Sequence, residues 1–369
     1  MPLIVQKYGG SSLADLSRLR AVAARVARTR ATGREVVVVV SAMGNTTNEL
    51  LALAAQVSPH PGRRELDMLI SVGERVSMAL LAMALHELGV PARSFTGSQS
   101  GIITDTSHAN ARVVEVRPDR VRAALDAGEV AIVAGFQGMS RDREVTTLGR
   151  GGSDTTAVVL AAALGAEACE ICSDVDGVYS ADPRTVPDAR LIARMTVDEA
   201  LALARNGAKV LYEEAVAWAQ QSGVVIRAAA TRNDGGGTVI HPGVVPRRVV
   251  AVTSDTQLAW LPLDRLDALP TACIRSASPA GILVDRRNLH ADLGSLEPAA
   301  TVAVVGSRLG ADPSGVAEVL RAQARGGLPI VEWHASADAV VFRVEAGVAA
   351  ALERELHDAL IGSPGDSSR

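Results

Sequence analysis

Long apolar runs without the alternation of a half-exposed strand dominate the first two thirds of the chain. Glu35–Ser41 reads E-V-V-V-V-V-S, and Leu3–Val5 and Val130–Ala134 are equally apolar. Such runs predict parallel strands that are buried on both faces. Helical patterns separate them, over about 13–30, 65–88 and 155–164. The alternation of strand and helix up to Ile240 predicts a layered α/β sandwich with a mainly parallel central sheet.

Polar, glycine-containing segments follow several of these strands. They read K-Y-G-G-S-S from Lys7, A-M-G-N-T-T-N from Ala42, T-L-G-R-G-G-S-D-T-T from Thr147 and S-D-V-D-G-V-Y from Ser173. In a parallel sheet such loops meet at the carboxyl ends of the strands, where ligands bind. Adjacent glycines let backbone amides approach an anion, while Lys7 and Arg150 supply positive charge. The pattern predicts a site for a phosphorylated or carboxylated ligand.

The last third of the chain has a different pattern. After a linker predicted at 241–248, H-P-G-V-V-P-R-R, a strand is expected over 249–262. The order strand, helix, strand, strand, helix then follows between Thr301 and Leu360, which is the order of a small ferredoxin-like α+β module. Residues 363–369 form a polar tail. We therefore expect two domains, 1–240 and 249–362.

Composition narrows the function classes. A net charge of −4 and a pI near 6.0 provide no basic face for nucleic acid. The start of the chain lacks the charged and apolar regions of a signal peptide, and we expect no membrane-spanning segment. Three cysteines, an odd number, are interpreted as core thiols in a reducing compartment. D-V-D-G lacks the ligand register of an EF-hand, so no protein metal site is expected. These features predict a cytoplasmic protein.

Six motifs occur in an order that resembles one family. They are K-Y-G-G-S-S-L, V-S-A-M-G-N-T-T-N-E-L, G-E-R-V-S, G-F-Q-G, T-T-L-G-R-G-G-S-D-T-T-A and S-D-V-D-G-V-Y-S-A-D-P-R. Residues 1–240 resemble the catalytic domain of the aspartokinases of the amino-acid kinase superfamily. The resemblance implies ATP-dependent phosphorylation of the side-chain carboxylate of L-aspartate to 4-phospho-L-aspartate, with Mg²⁺ held mainly by the nucleotide phosphates. Phosphoryl transfer of this kind requires positioning and charge neutralisation rather than covalent participation by the protein.

The same resemblance assigns roles to individual residues. It implies that Lys7 and Asp154 are catalytic. The aspartate-binding residues would be Ser41, Thr47, Glu74, Arg150, Gly151 and Ser153. The nucleotide-binding residues would be Gly9, Gly10, Ser11, Ser173, Asp174, Tyr179, Asp182, Arg184 and Lys209. The acceptor carboxylate is already ionised at neutral pH, so no general base is required.

The chain departs from the family pattern in several places. Tyr212-Glu213-Glu214 and Ala228-Ala229-Ala230 replace stretches expected near the nucleotide. The C-terminal region resembles the family's paired ACT regulatory modules, with a truncated first unit in 252–298 and a second unit at about 299–362. A homo-oligomer through this region is expected. Because the first unit lacks the D-K-P-G turn and N-I segment of an effector pocket, Arg275, Arg286 and Arg287 are interpreted as surface charges.

Three functional hypotheses remain open on the sequence. The leading one is a metabolic aspartokinase of the lysine and threonine pathways, with a feedback-insensitive, pathway-dedicated copy as one variant. The second is a kinase for another amino-acid carboxylate. The third is a non-catalytic regulatory subunit derived from a kinase. Glu74 and Arg150 argue for an α-amino acid ligand, and the charged residues Lys7 and Asp154 argue against loss of catalysis.

Overall fold

Two units divide the chain between them. The computed structural model describes residues 1–208, 210–232, 236–246, 248–269, 273–288 and 296–362. The first unit comprises Met1–Val178, Ala193–Val197 and Val210–Pro242. The second comprises Tyr179–Ile192, Asp198–Lys209 and Gly243–Arg369, as far as these ranges are described.

Strands and helices alternate up to Pro242, and a short 3-10 helix, Gly10–Leu13, follows the first strand. The order is β1 (Leu3–Tyr8), α1 (Leu16–Ala31), β2 (Glu35–Val40), α2 (Thr46–Val57), α3 (Arg63–Ile70), α4 (Val72–Glu87), β3 (Ala92–Phe95), β4 (Ile102–Thr104), β5 (Val113–Val116), α5 (Asp119–Asp126), β6 (Val130–Ala134), β7 (Gln137–Ser140), β8 (Val145–Thr147), α6 (Gly152–Leu164), β9 (Ala168–Ser173), β10 (Arg194–Thr196), α7 (Val197–Arg205), α8 (Glu213–Ser222), β11 (Ile226–Ala230) and β12 (Thr238–His241).

An eight-stranded sheet forms the centre of the first unit, in the order β10-β12-β11-β9-β1-β2-β6-β3. All neighbouring pairs are parallel except β11 and β12. Every residue of β6, and Val36–Val40 of β2, is buried. Helices α1 and α4 pack against one face, and α6 packs against β1, β2 and β9. The prediction of a parallel α/β sandwich is confirmed.

Several local predictions need correction. The helical pattern predicted over 65–88 forms two helices, because it is interrupted at Ser71, between α3 and α4. The segment predicted as a loop from Ala42 to Asn48 is already helical from Thr46. A separate four-stranded sheet, in the order β5-β4-β7-β8, was not predicted.

One helical stretch meets the length and composition of a membrane span. Arg63–Glu87 has a mean hydropathy of 1.6 over its most apolar window, and 50% of that window is buried inside the protein. Leu81 and Leu85 lie in the core beside β2 and β6. The core helix of a water-soluble protein has the same length and composition, so the stretch is weak evidence for a membrane.

The second unit contains α7 and a six-stranded antiparallel sheet in the order β14-β15-β13-β16-β18-β17. Its further elements are β13 (Ala251–Leu261), β14 (Ile274–Ser278), β15 (Gly281–Asp285), β16 (Glu297–Val305), α9 (Pro313–Gly326), β17 (Glu332–Ser336), β18 (Ala339–Glu345) and α10 (Ala349–Leu360). Strands β16 to β18 with α9 and α10 follow the predicted ferredoxin-like order. Strand β13 pairs with β16 and takes the place of the fourth strand of such a module.

Between β13 and β16 the described residues form β14, β15 and two 3-10 helices but no α-helix. A β-α-β-β-α-β module requires two helices. Arg275 and Arg287 were interpreted as surface charges, which is wrong. Both bind Asp285, which is only 1% exposed, at 2.7 Å, and Arg287 also binds Asp255. Arg286 is exposed, as expected.

Candidate functional site

The parallel strands bring four loops together at one edge of the central sheet. Backbone hydrogen bonds join these loops directly. Gly9 N–H donates to the Cys172 carbonyl at 3.3 Å, Ser41 N–H to the Tyr8 carbonyl at 3.1 Å, and Gly135 N–H to the Val40 carbonyl at 2.9 Å. The segments after β1, β2, β6 and β9 are therefore neighbours, as their position after parallel strands predicts.

Lys7 and Asp154 form an ion pair at this edge. Lys7 Nζ lies 2.6 Å from Asp154 Oδ1, and the two side chains are 12% and 3% exposed. Asp154 belongs to the first turn of α6, where the helix dipole is positive. A Cβ atom placed on Gly9 would lie 3.5 Å from Lys7 Nζ, so the ammonium group lies beside the Gly9 backbone. Ammonium, helix amino terminus and glycine turn together can bind phosphoryl oxygens.

Position 10 requires glycine because the backbone of the loop after β2 lies very close to it. A Cβ atom there would lie 2.9 Å from the Ala42 carbonyl oxygen and 3.2 Å from that of Gly44. Gly44 N–H donates to the Gly10 carbonyl at 3.0 Å. The loop after β1 thus packs against the loop after β2, and a larger residue would separate them. Ser11, next in the chain, accepts a hydrogen bond at its carbonyl from Arg18.

Glu74 is a buried carboxylate with an unmet hydrogen-bonding atom. Its side chain lies in the first turn of α4 and is 3% exposed. Oε1 accepts from Ala42 N–H at 3.1 Å, whereas Oε2 has no hydrogen-bond partner among the residues that the structure describes. Burial raises the pKa of Glu74 from 4.5 to about 7, against the hydrogen bond from Ala42. A buried charge of this kind needs a cationic partner, such as a ligand ammonium group.

The loop that carries Arg150 connects β8 to α6. Gly149 and Gly151 have φ values of 75° and 74°, in the left-handed region that glycine tolerates. Arg150 between them is exposed. Ser153, in the first turn of α6, is 8% exposed, and a Cβ atom on Gly135 would lie 2.9 Å from its Oγ. This loop therefore lies beside the end of β6.

Ser41 and Thr47 flank the same region. Ser41 follows β2 directly, and Thr47 lies in the first turn of α2. Both are half-buried. All six predicted aspartate-binding residues thus belong to the first unit and follow the carboxyl ends of its strands or begin the helices beside them.

The predicted nucleotide-binding residues fall into two groups. Ser173 and Asp174 lie at the end of β9 in the first unit, where the Ser173 carbonyl accepts from Thr231 N–H at 2.8 Å and Asp174 is exposed. Thr231 Oγ1 is also 2.6 Å from Ser12 Oγ, which joins this loop to the loop after β1.

Tyr179, Asp182 and Arg184 belong to the second unit. Arg184 Nη2 lies 2.6 Å from Asp182 Oδ2, and Asp182 N–H donates to Glu353 of α10 at 3.5 Å. Lys209 lies outside the described residues.

Both replaced stretches, 212–214 and 228–230, lie in the first unit. A Cβ atom on Gly151 would lie 2.1 Å from Tyr212 Cγ, so the Tyr212 ring rests on the Arg150 loop. Burial raises the pKa of Glu214. The charge of Asp105 raises this pKa further, whereas the charge of Arg112 lowers it. Tyr212 therefore borders the segment predicted to bind aspartate, whereas the sequence placed it near the nucleotide. Ala228–Ala230 lie on β11, beside β9.

Sequence reasoning missed Asp67, a fully buried carboxylate on α3 that contacts His108, Ala109 and Thr147. Asp67 lies three residues before Ile70, and this helical spacing puts both residues on the buried face of α3. That spacing is the one sequence signal that Asp67 is buried. The cysteines Cys169, Cys172 and Cys273 are buried, as predicted.

The chain is similar to known proteins in sequence and in fold. The model of the amino acid kinase family matches residues 2–228. An aspartokinase from Mycolicibacterium smegmatis is 56% identical over 245 residues, which cover 66% of this chain and 58% of the relative. The chain therefore matches little more than half the length of that relative.

Two solved structures are similar over nearly all of the chain. Aspartate kinase from Synechocystis is 34% identical with a TM-score of 0.61, covering 100% of this chain and 70% of that one. The structure of E. coli aspartokinase III in complex with aspartate and ADP has a TM-score of 0.79 at 22% identity, covering 97% and 100% of the two chains. The latter supports the fold alone.

Proposed function

Because the chain belongs to the amino acid kinase family, we propose that it phosphorylates the side-chain carboxylate of L-aspartate with ATP, giving 4-phospho-L-aspartate. The observation that carries this proposal is the unmet Oε2 atom of buried Glu74. An uncharged or purely anionic acceptor would leave that carboxylate unpaired, whereas the ammonium group of an amino acid would neutralise it. The similarity to aspartokinases supports aspartate as the amino acid.

In this mechanism Glu74 binds the α-ammonium group of aspartate. Arg150 binds the α-carboxylate, for which the planar guanidinium provides two parallel donors. The hydroxyl groups of Ser41, Thr47 and Ser153 and the backbone of Gly151 complete the acceptor site. The side-chain carboxylate of aspartate then points toward the Lys7 ammonium group.

Lys7 stabilises the transferring phosphoryl group. An oxygen of the acceptor carboxylate forms a bond to the γ-phosphorus while the bond from phosphorus to the β,γ-bridging oxygen breaks, and ADP retains that electron pair. Charge on the equatorial oxygens is met by Lys7 and by backbone amides at Gly10 and the start of α6. Asp154, at 2.6 Å, holds Lys7 in place. No proton has to be removed from the acceptor.

The nucleotide would contact Ser11, Ser173 and Asp174, with Tyr179, Asp182, Arg184 and Lys209 as further ligands. In the described part of the chain no three His, Cys, Asp or Glu side chains are grouped closely enough to hold a metal. Mg²⁺ commonly binds through substrate phosphates with few protein ligands. We therefore assign Mg²⁺ to the nucleotide.

The wider assignments belong to the same proposal. We propose a catalytic domain at 1–240, a linker at 241–248 and an ACT-like region at 249–362. We also propose a cytoplasmic location and a place at the start of the lysine and threonine pathways. Strand β17 lies at the edge of the second unit's sheet with Trp333 44% exposed. An edge of this kind can pair with a second copy, which supports a homo-oligomer.

A coupled assay of ADP release, with aspartate, glutamate and related acids as acceptors, tests the proposal. We expect release that depends on aspartate and is much weaker with glutamate. Lys7→Ala serves as the control for contaminating kinases. Release with glutamate but not aspartate would favour another amino-acid kinase. Absence of release with every acid would favour a non-catalytic subunit.

A further inference from the structure

Asp67 is a buried charge that the proposed mechanism leaves unused. Its carboxylate has no exposed surface. Oδ2 lies 2.7 Å from His108 Nδ1, and both oxygens lie 3.1 Å from the N–H of Ala109. Thr147 Oγ1 donates to Oδ1. Hydrogen bonds from several donors are what makes a fully buried carboxylate tolerable.

These donors come from two segments that are distant in sequence from α3. His108 and Ala109 lie in the loop between β4 and β5, and Thr147 ends β8, three residues before Arg150. Ala111 N–H donates to the Thr147 carbonyl at 2.8 Å, so the two segments also bind each other.

The loop between β4 and β5 also reaches the glycine beside Arg150. A Cβ atom on Gly149 would lie 2.6 Å from Asn110 Oδ1. Ala109 has a φ of 68°, a left-handed conformation that costs a non-glycine residue about 1 kcal/mol or more. The hydrogen bonds from Ala109 N–H to Asp67 hold that conformation. Asp67 therefore fixes the shape of the loop against which the Arg150 loop packs.

The backbone of Asp67 lies in the last turn of α3, directly before the helix that carries Glu74. Ser71 N–H donates to the Asp67 carbonyl at 3.1 Å at the end of α3, and α4 with Glu74 starts at the next residue. Gln137 Nε2 donates to the Ser71 carbonyl at 2.9 Å and fixes this junction to β7. The Asp67 carboxylate thus binds Thr147 and the loop that packs against Gly149, while the Asp67 backbone belongs to the helix directly before α4 and Glu74.

We propose that Asp67 is a positioning residue for the acceptor: through Thr147 and the 108–110 loop it sets the place of Arg150 relative to Glu74. This inference rests on the proposed function, in which these two residues bind the α-carboxylate and the α-ammonium group. The distance between Arg150 and Glu74 determines the position that the side-chain carboxylate of the bound amino acid reaches. Asp67 therefore contributes to the choice between aspartate and the longer glutamate.

Three substitutions separate an effect on positioning from an effect on stability. Asp67→Asn keeps the shape but loses the charge and one acceptor. Thr147→Val removes the donated hydroxyl at constant shape, whereas Thr147→Ser retains it. We expect Asp67→Asn and Thr147→Val to raise the KM for aspartate ~10–100-fold, as a displaced binding group does, and to leave the KM for ATP unchanged. The ratio of aspartate to glutamate turnover should fall. Thr147→Ser should restore most of the aspartate affinity.

Asp126→Asn, at an exposed ion pair on α5, is the matched control. A lower melting temperature with equal changes in both KM values, or Thr147→Ser as damaging as Thr147→Val, would overturn the proposal. If Asp67→Asn does not fold, the two Thr147 variants still decide.

Amide hydrogen exchange of 148–151 without substrate provides a second readout that does not depend on the acceptor. Faster exchange in Thr147→Val than in Thr147→Ser supports positioning, and equal exchange contradicts it. If the wild-type chain phosphorylates no amino acid, the proposed function fails, and this exchange comparison still tests whether Asp67 orders the Arg150 loop.

Discussion

The buried charge of Glu74 lowers the stability of the ligand-free protein, so removing this charge should increase the free energy of unfolding. Burial raises its pKa from 4.5 to about 7. The folded protein therefore binds this proton more tightly than the unfolded chain. The free energy of unfolding consequently falls as pH rises from 4.5 to about 7 and stays lower above that. At ~1.4 kcal/mol per pH unit the loss amounts to about 3 kcal/mol.

Glu74→Gln should remove this loss. The amide can still accept the hydrogen bond from Ala42 N–H, so we expect little change in stability at pH values below 4.5 and a gain approaching 3 kcal/mol above pH 7. Urea unfolding across that range measures it. Glu87→Gln, an exposed position on the same helix, is the matched control. If wild type and Glu74→Gln lose stability in parallel as pH rises, the charge of Glu74 is not the cause.

The same proton should compete with the substrate. A protonated Glu74 cannot pair with an ammonium group, so the KM for aspartate should rise as pH falls below about 7, approaching tenfold per pH unit. The Glu74→Gln variant should bind aspartate more weakly by ~2–5 kcal/mol. Its KM for aspartate should no longer depend on pH in this range. Unchanged aspartate affinity in Glu74→Gln would refute the assignment of Glu74 to the ammonium group. If Glu74→Gln is more stable but binds aspartate more weakly, the buried charge of Glu74 destabilises the fold and serves substrate binding.

Three further outcomes follow from the site and from the C-terminal region. Lys7→Ala should lower turnover by ~10²–10³-fold or more, because its charge acts on the transition state; turnover within a few-fold of wild type in the ADP-release assay would limit Lys7 to a structural role. Arg150→Ala should weaken aspartate binding by ~2–5 kcal/mol and raise the KM for aspartate far more than the KM for ATP; equal increases in the two KM values would contradict its role. Millimolar lysine or threonine should inhibit weakly or not at all, and strong saturable inhibition would reveal an effector pocket in 252–344.

The central sheet could be predicted because buried parallel strands leave long apolar runs such as Val36–Val40. The four-stranded sheet could not, because strands such as Ile102–Thr104 are too short to establish a period. Helix α2 was hidden by the polar residues of its first turn, Thr46–Asn48, which are equally typical of a loop.

The candidate site was predictable only in part. Glycines and charges after strands indicated where ligands would bind, since parallel strands end at one edge. Asp67 was not recognised, because a helical aspartate is usually a solvated residue and its partners are distant in sequence. The ion pair of Asp285 with Arg275 was missed because only the antiparallel pairing of β14 with β15 brings Arg275 to Asp285.

The second unit holds residues that the sequence assigned to the catalytic domain. Ser180 Oγ lies 2.9 Å from His357 Nε2 and accepts from Arg190 N–H at 2.9 Å, while Asp182 N–H donates to Glu353. Glu353 and His357 lie one turn apart on α10 and are 1% and 0% exposed. Strand β13 adds a bond from Val252 N–H to the Ser180 carbonyl at 2.8 Å. A chain ended at 240 would leave the Ser180–Arg184 segment without these partners. The local structure of this segment therefore depends on the C-terminal region, whether or not that region binds an effector.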